Sequence, residues 1–219
     1  SETVTAVGRS MIARTEKTIY EKWGGDLENQ DPAKRGANVI YGDTDSVFVD
    51  FNLDPLKYPT MKERFEFATA AAEEITRTCF KPPHNLEFEK IYQPLFMLMK
   101  KRYFGLKYTR FDKPPVVDNR GVVIQRRDVC PFVQETFTAC RDMVLHNETV
   151  AGGIRAMAYL EKTLQDLVEN KIDLEKCAIT KTYTKDYANP MLIPHAAVAM
   201  KMRENGVEVC KGDKVQYVY

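Results

Sequence analysis

Apolar residues recur at helical spacing near the start of the chain. Val4, Val7, Met11, Thr15 and Ile19 share one face of 3–22, which predicts an amphipathic helix. Gly24-Gly25 ends it, and 24–38, with Pro32 and Gly36, reads as a loop. The period then changes. In 39–51, VIYGDTDSVFVDF, two runs of β-branched and aromatic residues flank the polar centre Gly42-Asp43-Thr44-Asp45. That pattern predicts a hairpin with Gly and Asp in the turn. The flanks are almost wholly apolar, as in strands covered on both faces. A helix follows over 61–80, with Phe65, Ala68, Ala72, Ile75 and Cys79 inward and Pro82-Pro83 as its stop. In 85–91 Leu86 and Phe88 alternate with Glu87 and Glu89, which predicts a strand with one acidic face. The apolar run 92–99 leads into Lys100-Lys101-Arg102-Tyr103, and 110–120, with Pro114-Pro115, reads as a turn or small loop.

Beyond residue 130 the pattern becomes mainly helical. Pro131 opens a helix to about residue 146, with Val133, Phe137, Cys140 and Val144 on one face. A second helix, 150–169, carries the stripe Ile154, Met157, Leu160, Leu164 and Leu167, read as core. The segment 177–184 alternates as a strand. A short helix, 194–204, is closed by Gly206, and 207–219 is β-like without a natural terminus signal. The mixture makes the fold class α+β, and the change near residue 130 marks a domain boundary.

The chain has 219 residues, 44% hydrophobic and 29% charged, an ordinary balance for a packed globular protein. Net charge is only +1, but its distribution is uneven. Between Lys100 and Arg127 nine basic residues stand against two acidic ones, a local charge of +7 that suits a polyanion. Lys100, Lys101, Arg102, Lys107, Arg126 and Arg127 belong to that group. The five cysteines are scattered, with no CxxC pair, which argues against zinc or iron–sulfur ligation and for reduced thiols inside a cell. No apolar run is long enough to span a bilayer, so no membrane partner is expected. A start at Ser1 rather than Met is expected for a piece of a larger chain. His84, His146 and His195 are too dispersed for a metal triad, and Trp23 reads as a core anchor.

Two carboxylates one residue apart are on many hairpins just a solvated turn. Held at the end of a buried hairpin they repel each other and lose hydration, so they call for a cation. Oxygen ligands favour a hard divalent ion such as Mg²⁺. Here Tyr41-Gly42-Asp43-Thr44-Asp45-Ser46 resembles the YGDTDS signature, motif C, of the family B DNA polymerases. Lys100-Lys101-Arg102-Tyr103 resembles the family's KKRY motif, and Leu86-Glu87-Phe88-Glu89-Lys90 the LEFEK segment of its delta branch. Residues 1–12 are similar to the helix between motifs B and C. The segment 123–130 and Gly212-Asp213-Lys214-Val215 also resemble delta-like members, cellular or from large DNA viruses. The resemblance thus extends over the whole chain.

It implies an antiparallel palm sheet with packed helices over 1–130, carrying motif C and KKRY, and a mainly helical thumb, truncated, over 131–219. It implies DNA-directed DNA synthesis, in which a nucleotidyl group passes from a dNTP to a primer 3′-hydroxyl by a two-metal mechanism. Asp45 would be the lead ligand for two Mg²⁺ ions, with Mn²⁺ as an alternative, and Asp43 the supporting carboxylate. Glu87 and Glu89 are candidates for an outer metal position. Lys100, Lys101, Arg102, Tyr103, Lys107, Arg126 and Arg127 would hold duplex DNA, and Tyr41 and Thr44 the incoming nucleotide. The implied partners are primer–template DNA, dNTP, the remainder of the polymerase chain and, as a further candidate, a sliding clamp. The implied location is intracellular, in the nucleus, or in the nucleus or cytoplasm of a host if the protein is viral. The family's motif A, the KxxxNSxYG helix and a DxE exonuclease motif are absent from these residues, so the chain alone is expected to be inactive. A non-catalytic duplex-binding module derived from a polymerase is the alternative, and intact Asp43 and Asp45 argue against it. A DxD phosphohydrolase would call for a histidine cluster that is missing.

Overall fold

The computed structural model describes residues 2–25, 28, 34–43, 45–125, 128–146 and 149–218. They form two compact units: Ser1–Leu95 with Met99–Lys101 and Leu106–Asp118, and Phe96–Leu98 with Arg102–Gly105 and Asn119–Tyr219. Among the described residues the elements mix helices with small antiparallel sheets, in agreement with the α+β expectation.

In the first unit, helix α1 (Glu2–Trp23) and helix α2 (Met61–Cys79) flank a hairpin of β1 (Asn38–Asp43) and β2 (Ser46–Asp50). Helix α2 starts at a capping box. The Thr60 side chain accepts from the Glu63 N–H, and the Glu63 carboxylate accepts from the Thr60 N–H at 2.9 Å. The core gathers Ile19 of α1, Ala37 and Ile75 of α2, with Trp23, Val39, Val49 and Phe51 packed around them. Lys22 pairs with Glu74 across the two helices, and the Thr18 hydroxyl lies 3.0 Å from Cys79 Sγ. The loop between α1 and β1 is pinned where backbones cross. Ala37 N–H donates to the Trp23 carbonyl at 2.7 Å, and Gly24 bridges Gly36. Gly36 has φ +66°, and a Cβ there would lie 2.3 Å from Gly25 N.

β1 and β2 pair antiparallel with Asp43 opposite Ser46, Gly42 opposite Val47 and Tyr41 opposite Phe48. The register shifts between Val39 and Tyr41, leaving Ile40 unpaired and 46% exposed. The expectation of strands covered on both faces holds only in part: Val39 and Val49 pack toward α1 and α2 and Tyr41 is buried, but most positions of the ribbon are half-buried and Ile40 is exposed. The strands also reach further than the sequence suggests. Gly42 and Asp43 belong to β1, β2 starts at Ser46, and Asp45 lies in the turn.

A three-stranded sheet follows, in the order β3 (Ile91–Met99), β4 (Arg102–Tyr108), β5 (Val116–Arg120). Two sequence expectations fail here. Residues 85–90 form no strand: among the described residues no strand pairs with them, and Leu86 bonds instead to the Thr76 hydroxyl, because alternation predicts a face, not a partner. Residues 116–120, read as loop, form β5, because Pro114-Pro115 ends the loop and Val116 re-enters the sheet. β3 and β4 are joined by Lys100 and Lys101, and Lys101 is left-handed at φ 63°.

In the second unit, α3 (Pro131–Leu145) and α4 (Thr149–Val168) pack as a pair, and Phe137 meets Phe104 edge-on at 5.7 Å. The one-turn helix α5 (Leu174–Cys177) leads to β6 (Ile179–Thr182), which pairs antiparallel with β7 (Lys214–Tyr217) against α6 (Pro194–Glu204). Tyr183, Ala196, Ala199, Val209 and Val215 form this core, and the Arg203 guanidinium lies over the Tyr183 ring at 4.9 Å. Of the stripe expected as core on α4, Ile154, Met157, Leu164 and Leu167 are exposed, at 66%, 58%, 49% and 38%, and only Leu160 is half-buried. In its first turns the helix turns small residues inward, and further along Tyr159, Leu160 and Thr163 are half-buried. Gly152 is buried and Ala156 half-buried, and the Ala156 carbonyl accepts from Cys140 Sγ of α3 at 3.7 Å. Close approach between the helices selects these small side chains over the larger apolar ones.

Candidate functional site

Tyr41 and Asp43 are two apart on β1 and so point to one side of the ribbon. Tyr41 is buried, with its ring 5.8 Å from that of Phe48 across the pair. Its hydroxyl hydrogen-bonds to the Asp43 carboxylate and accepts from the Lys101 backbone N–H. Burial pushes that hydroxyl above its ordinary value, and the charge and hydrogen bond of Asp43 push it further, against an opposing pull from Lys101. The phenol is therefore a neutral donor at physiological pH. Lys101 Nζ lies 3.2 Å from Asp43 Oδ1. Side chain and backbone of one turn residue thus both reach the hairpin tip. The left-handed backbone of Lys101 allows the double contact by turning the chain sharply between β3 and β4.

Asp45 sits in the turn itself, exposed, its N–H donating to the Asp43 carbonyl at 2.6 Å. The Ser46 hydroxyl donates to the same carbonyl at 3.2 Å. Among the described residues Asp45 makes no ion pair. The hairpin is tied to the three-stranded sheet by aromatic stacking, with Phe48 and Tyr92 6.0 Å apart and 22° from parallel. Tyr92 in turn donates to Asp118 at 2.6 Å, and Lys107 lies 3.7 Å from the same carboxylate oxygen. Sequence reasoning missed Phe48, Tyr92 and Asp118 as positioning residues. An aromatic pair from strands more than forty residues apart leaves no local signal.

The structure thus brings Tyr41, Asp43 and Lys101 together, with Asp45 next along the turn. Lys100 and Arg102 are exposed and form no ion pair among the described residues, and Tyr103 is half-buried. Lys107 is occupied by Asp118 inside the sheet. Glu87 accepts from the Asn85 amide at 2.9 Å, and Glu89 pairs with Lys90 at 2.8 Å. Both glutamates are exposed. Among the described residues no three His, Cys, Asp or Glu side chains converge as a metal group. Thr44, Arg126 and Arg127 lie outside the described residues.

The donor chemistry of the tip fits a hard cation. Two carboxylates separated by one residue supply oxygen ligands, and Mg²⁺ is commonly held by one or two protein carboxylates with substrate phosphates completing its shell. The basic turn beside them carries charge suited to phosphates.

The chain belongs to DNA polymerase family B, whose model matches residues 1–219. It is 37% identical over 219 residues to the DNA polymerase delta catalytic subunit of Candida albicans, an alignment covering 100% of this chain and 20% of that protein. A DNA polymerase of Paramecium bursaria Chlorella virus NY2A is 35% identical over 217 residues, covering 99% of this chain and 22% of that protein. The chain therefore spans about a fifth of the length of these relatives. In three dimensions it resembles the family B DNA polymerase of the archaeon Pyrobaculum calidifontis, with a TM-score of 0.64 over 99% of this chain and 24% of that one. At 23% identity that likeness establishes the fold. Among the described residues no helix is long and apolar enough to cross a membrane.

Proposed function

We propose that this chain forms the primer-end portion of a DNA-directed DNA polymerase, with the C-terminal part of the palm over 1–130 and the thumb over 131–219. The full-length protein would transfer a nucleotidyl group from a dNTP to a primer 3′-hydroxyl, directed by a template, within a cell nucleus or an infected host. The observation that carries the reading is the 3.2 Å contact between Lys101 and Asp43, which joins the acidic hairpin tip to the basic turn.

In this reading Asp45 and Asp43 hold Mg²⁺, or Mn²⁺ in its place, with further ligands from outside these residues. Bound there as a pair, the cations would supply positive charge to the attacking and leaving oxygens of the displacement. Tyr41 fixes the orientation of Asp43 through a hydrogen bond, and Tyr41 and Thr44 are assigned to the incoming nucleotide. Glu87 and Glu89 are outer candidates. Lys100, Lys101 and Arg102 hold the primer–template by its phosphates and minor-groove edge, and Tyr103 packs against a sugar. Arg126 and Arg127 are assigned to DNA as well, with a smaller share for Lys107, which Asp118 already neutralises.

Replacing Lys100 and Lys101 together by Ala in the full-length protein tests this reading. The expected result is weaker binding to duplexes of every sequence, with the slope of log affinity against log salt reduced by about 2. An unchanged affinity and slope would assign the two lysines to protection of a sheet edge.

A further inference from the structure

The contact between Lys101 and Asp43 joins two groups that the polymerase reading assigns to different ligands. Lys101 is assigned to DNA and Asp43 to a divalent cation, yet in the structure each holds the other at 3.2 Å. We propose that Lys101 couples the two binding events: its ammonium is a countercharge for Asp43 before DNA arrives, and its transfer to a DNA phosphate or groove acceptor releases the carboxylate to a cation. The proposal rests on the polymerase reading given above.

The geometry favours exchange. The Lys101 side chain is 71% exposed and that of Asp43 32%, so the pair lies at the surface, where ion pairs are weak and readily replaced. The lysine stem is long and flexible, while the backbone that carries it is held by the hydrogen bond from Lys101 N–H to Tyr41. The head can leave while its base stays in place. Asp43 remains oriented by the Tyr41 hydroxyl, so the carboxylate is not lost to the site when the ammonium departs. One ammonium carries one charge however many of its N–H groups are engaged, and what it gives to a phosphate it withdraws from Asp43. Lys100, the adjacent residue, makes no ion pair among the described residues and so has nothing to exchange. The basic turn therefore divides its work: Lys100 adds affinity, and Lys101 also reports DNA to the cation site. Linkage makes the effect reciprocal, so the cation tightens DNA binding by the same factor by which DNA tightens cation binding.

The test uses the full-length polymerase, no nucleotide, and a primer–template whose terminal linkages resist hydrolysis. DNA affinity is measured with and without Mg²⁺ at matched ionic strength, and Mn²⁺ affinity is measured by electron paramagnetic resonance on the DNA-free protein. In the wild type Mg²⁺ should tighten DNA binding about fivefold. Lys101→Ala and Lys101→Gln should bring that factor to about one and raise Mn²⁺ affinity without DNA by a similar ratio, since Asp43 has lost its countercharge. Lys100→Ala removes the same net charge. It should weaken DNA binding, keep the fivefold factor, and leave Mn²⁺ affinity near the wild-type value. Melting curves of each variant confirm the fold, and the Gln variant retains most of the stem's packing. A factor unchanged in both Lys101 variants would overturn the proposal. So would DNA and cation binding that are each intact but independent in the wild type, which would leave the polymerase reading standing. Failure of the wild type to bind primer–template at all would overturn the reading and the proposal with it.

Discussion

Asp45→Asn in the full-length chain should lower single-turnover nucleotide incorporation by about three orders of magnitude, without lowering the melting temperature. The substitution keeps the size and hydrogen-bonding capacity of the side chain and removes its charge. In the structure that charge is exposed in the turn, unpaired among the described residues, and two positions along the chain from Asp43. Among the described residues no ion pair depends on it, and its loss relieves repulsion between the two acids. The proposed cations depend on it directly, because an amide oxygen is a far weaker ligand for a hard ion than a carboxylate. Primer–template affinity measured without divalent ions should stay near wild type, since Lys100, Lys101 and Arg102 are untouched. Incorporation within about tenfold of wild type would remove Asp45 from the cation site. A large fall in melting temperature would instead make it a structural turn residue.

Gly36→Ala should cost about 3 kcal/mol of stability, far more than an ordinary surface substitution. Two effects add. The residue is left-handed at φ +66°, which an alanine adopts only with strain, and its Cβ would stand 2.3 Å from Gly25 N, 2.5 Å from Gly24 C and 2.7 Å from the Trp23 carbonyl oxygen. All three are backbone atoms, which cannot swing aside as a side chain tip would. To relieve the clash, the end of α1 must separate from the start of β1, breaking the Ala37–Trp23 hydrogen bond that sets where the hairpin begins. Gly206→Ala is the matched control. Its φ is +81°, but no atom lies within 4 Å of the added Cβ, so it should cost only about 1 kcal/mol. Urea denaturation of both variants measures the difference. Equal costs would mean that the backbone crossing at Gly36 relaxes freely and does not anchor the hairpin.

What could be read from the sequence follows from the range of the interactions involved. The helices 2–23, 61–79, 131–145 and 194–204 and the hairpin at 38–50 were legible because their signals are local: a period, a cap, a proline, a turn. The alternating 85–90 deceived because a strand exists only with a partner, and pairing is not written in one strand. β5 was hidden behind Pro114-Pro115, which mark a loop but do not say where it ends. On α4 the apolar stripe was visible, yet the competition was won by Gly152 and Ala156, whose value lies in how closely α3 can approach. Within the site, the two carboxylates and the basic run were visible as motifs. That Lys101 would reach Asp43 was not, because the contact joins residues far apart in sequence and depends on a left-handed lysine with no turn signature. The aromatic stack that supports it, Phe48 on Tyr92, is equally non-local.

The central claim is that the turn after Asp43 holds a divalent cation beside the turn at Lys100 and Lys101. Iron-directed cleavage of the full-length protein tests it most directly. With added hydrogen peroxide and ascorbate, Fe²⁺ exchanged for Mg²⁺ reduces the peroxide to hydroxyl radicals, which cut the backbone only close to the bound ion. The account predicts two cuts within these residues, one near 43–46 and one near 100–102, both suppressed by excess Mg²⁺ and by Asp45→Asn. Cleavage confined to other parts of the chain, or cuts at these turns that persist in Asp45→Asn, would contradict it.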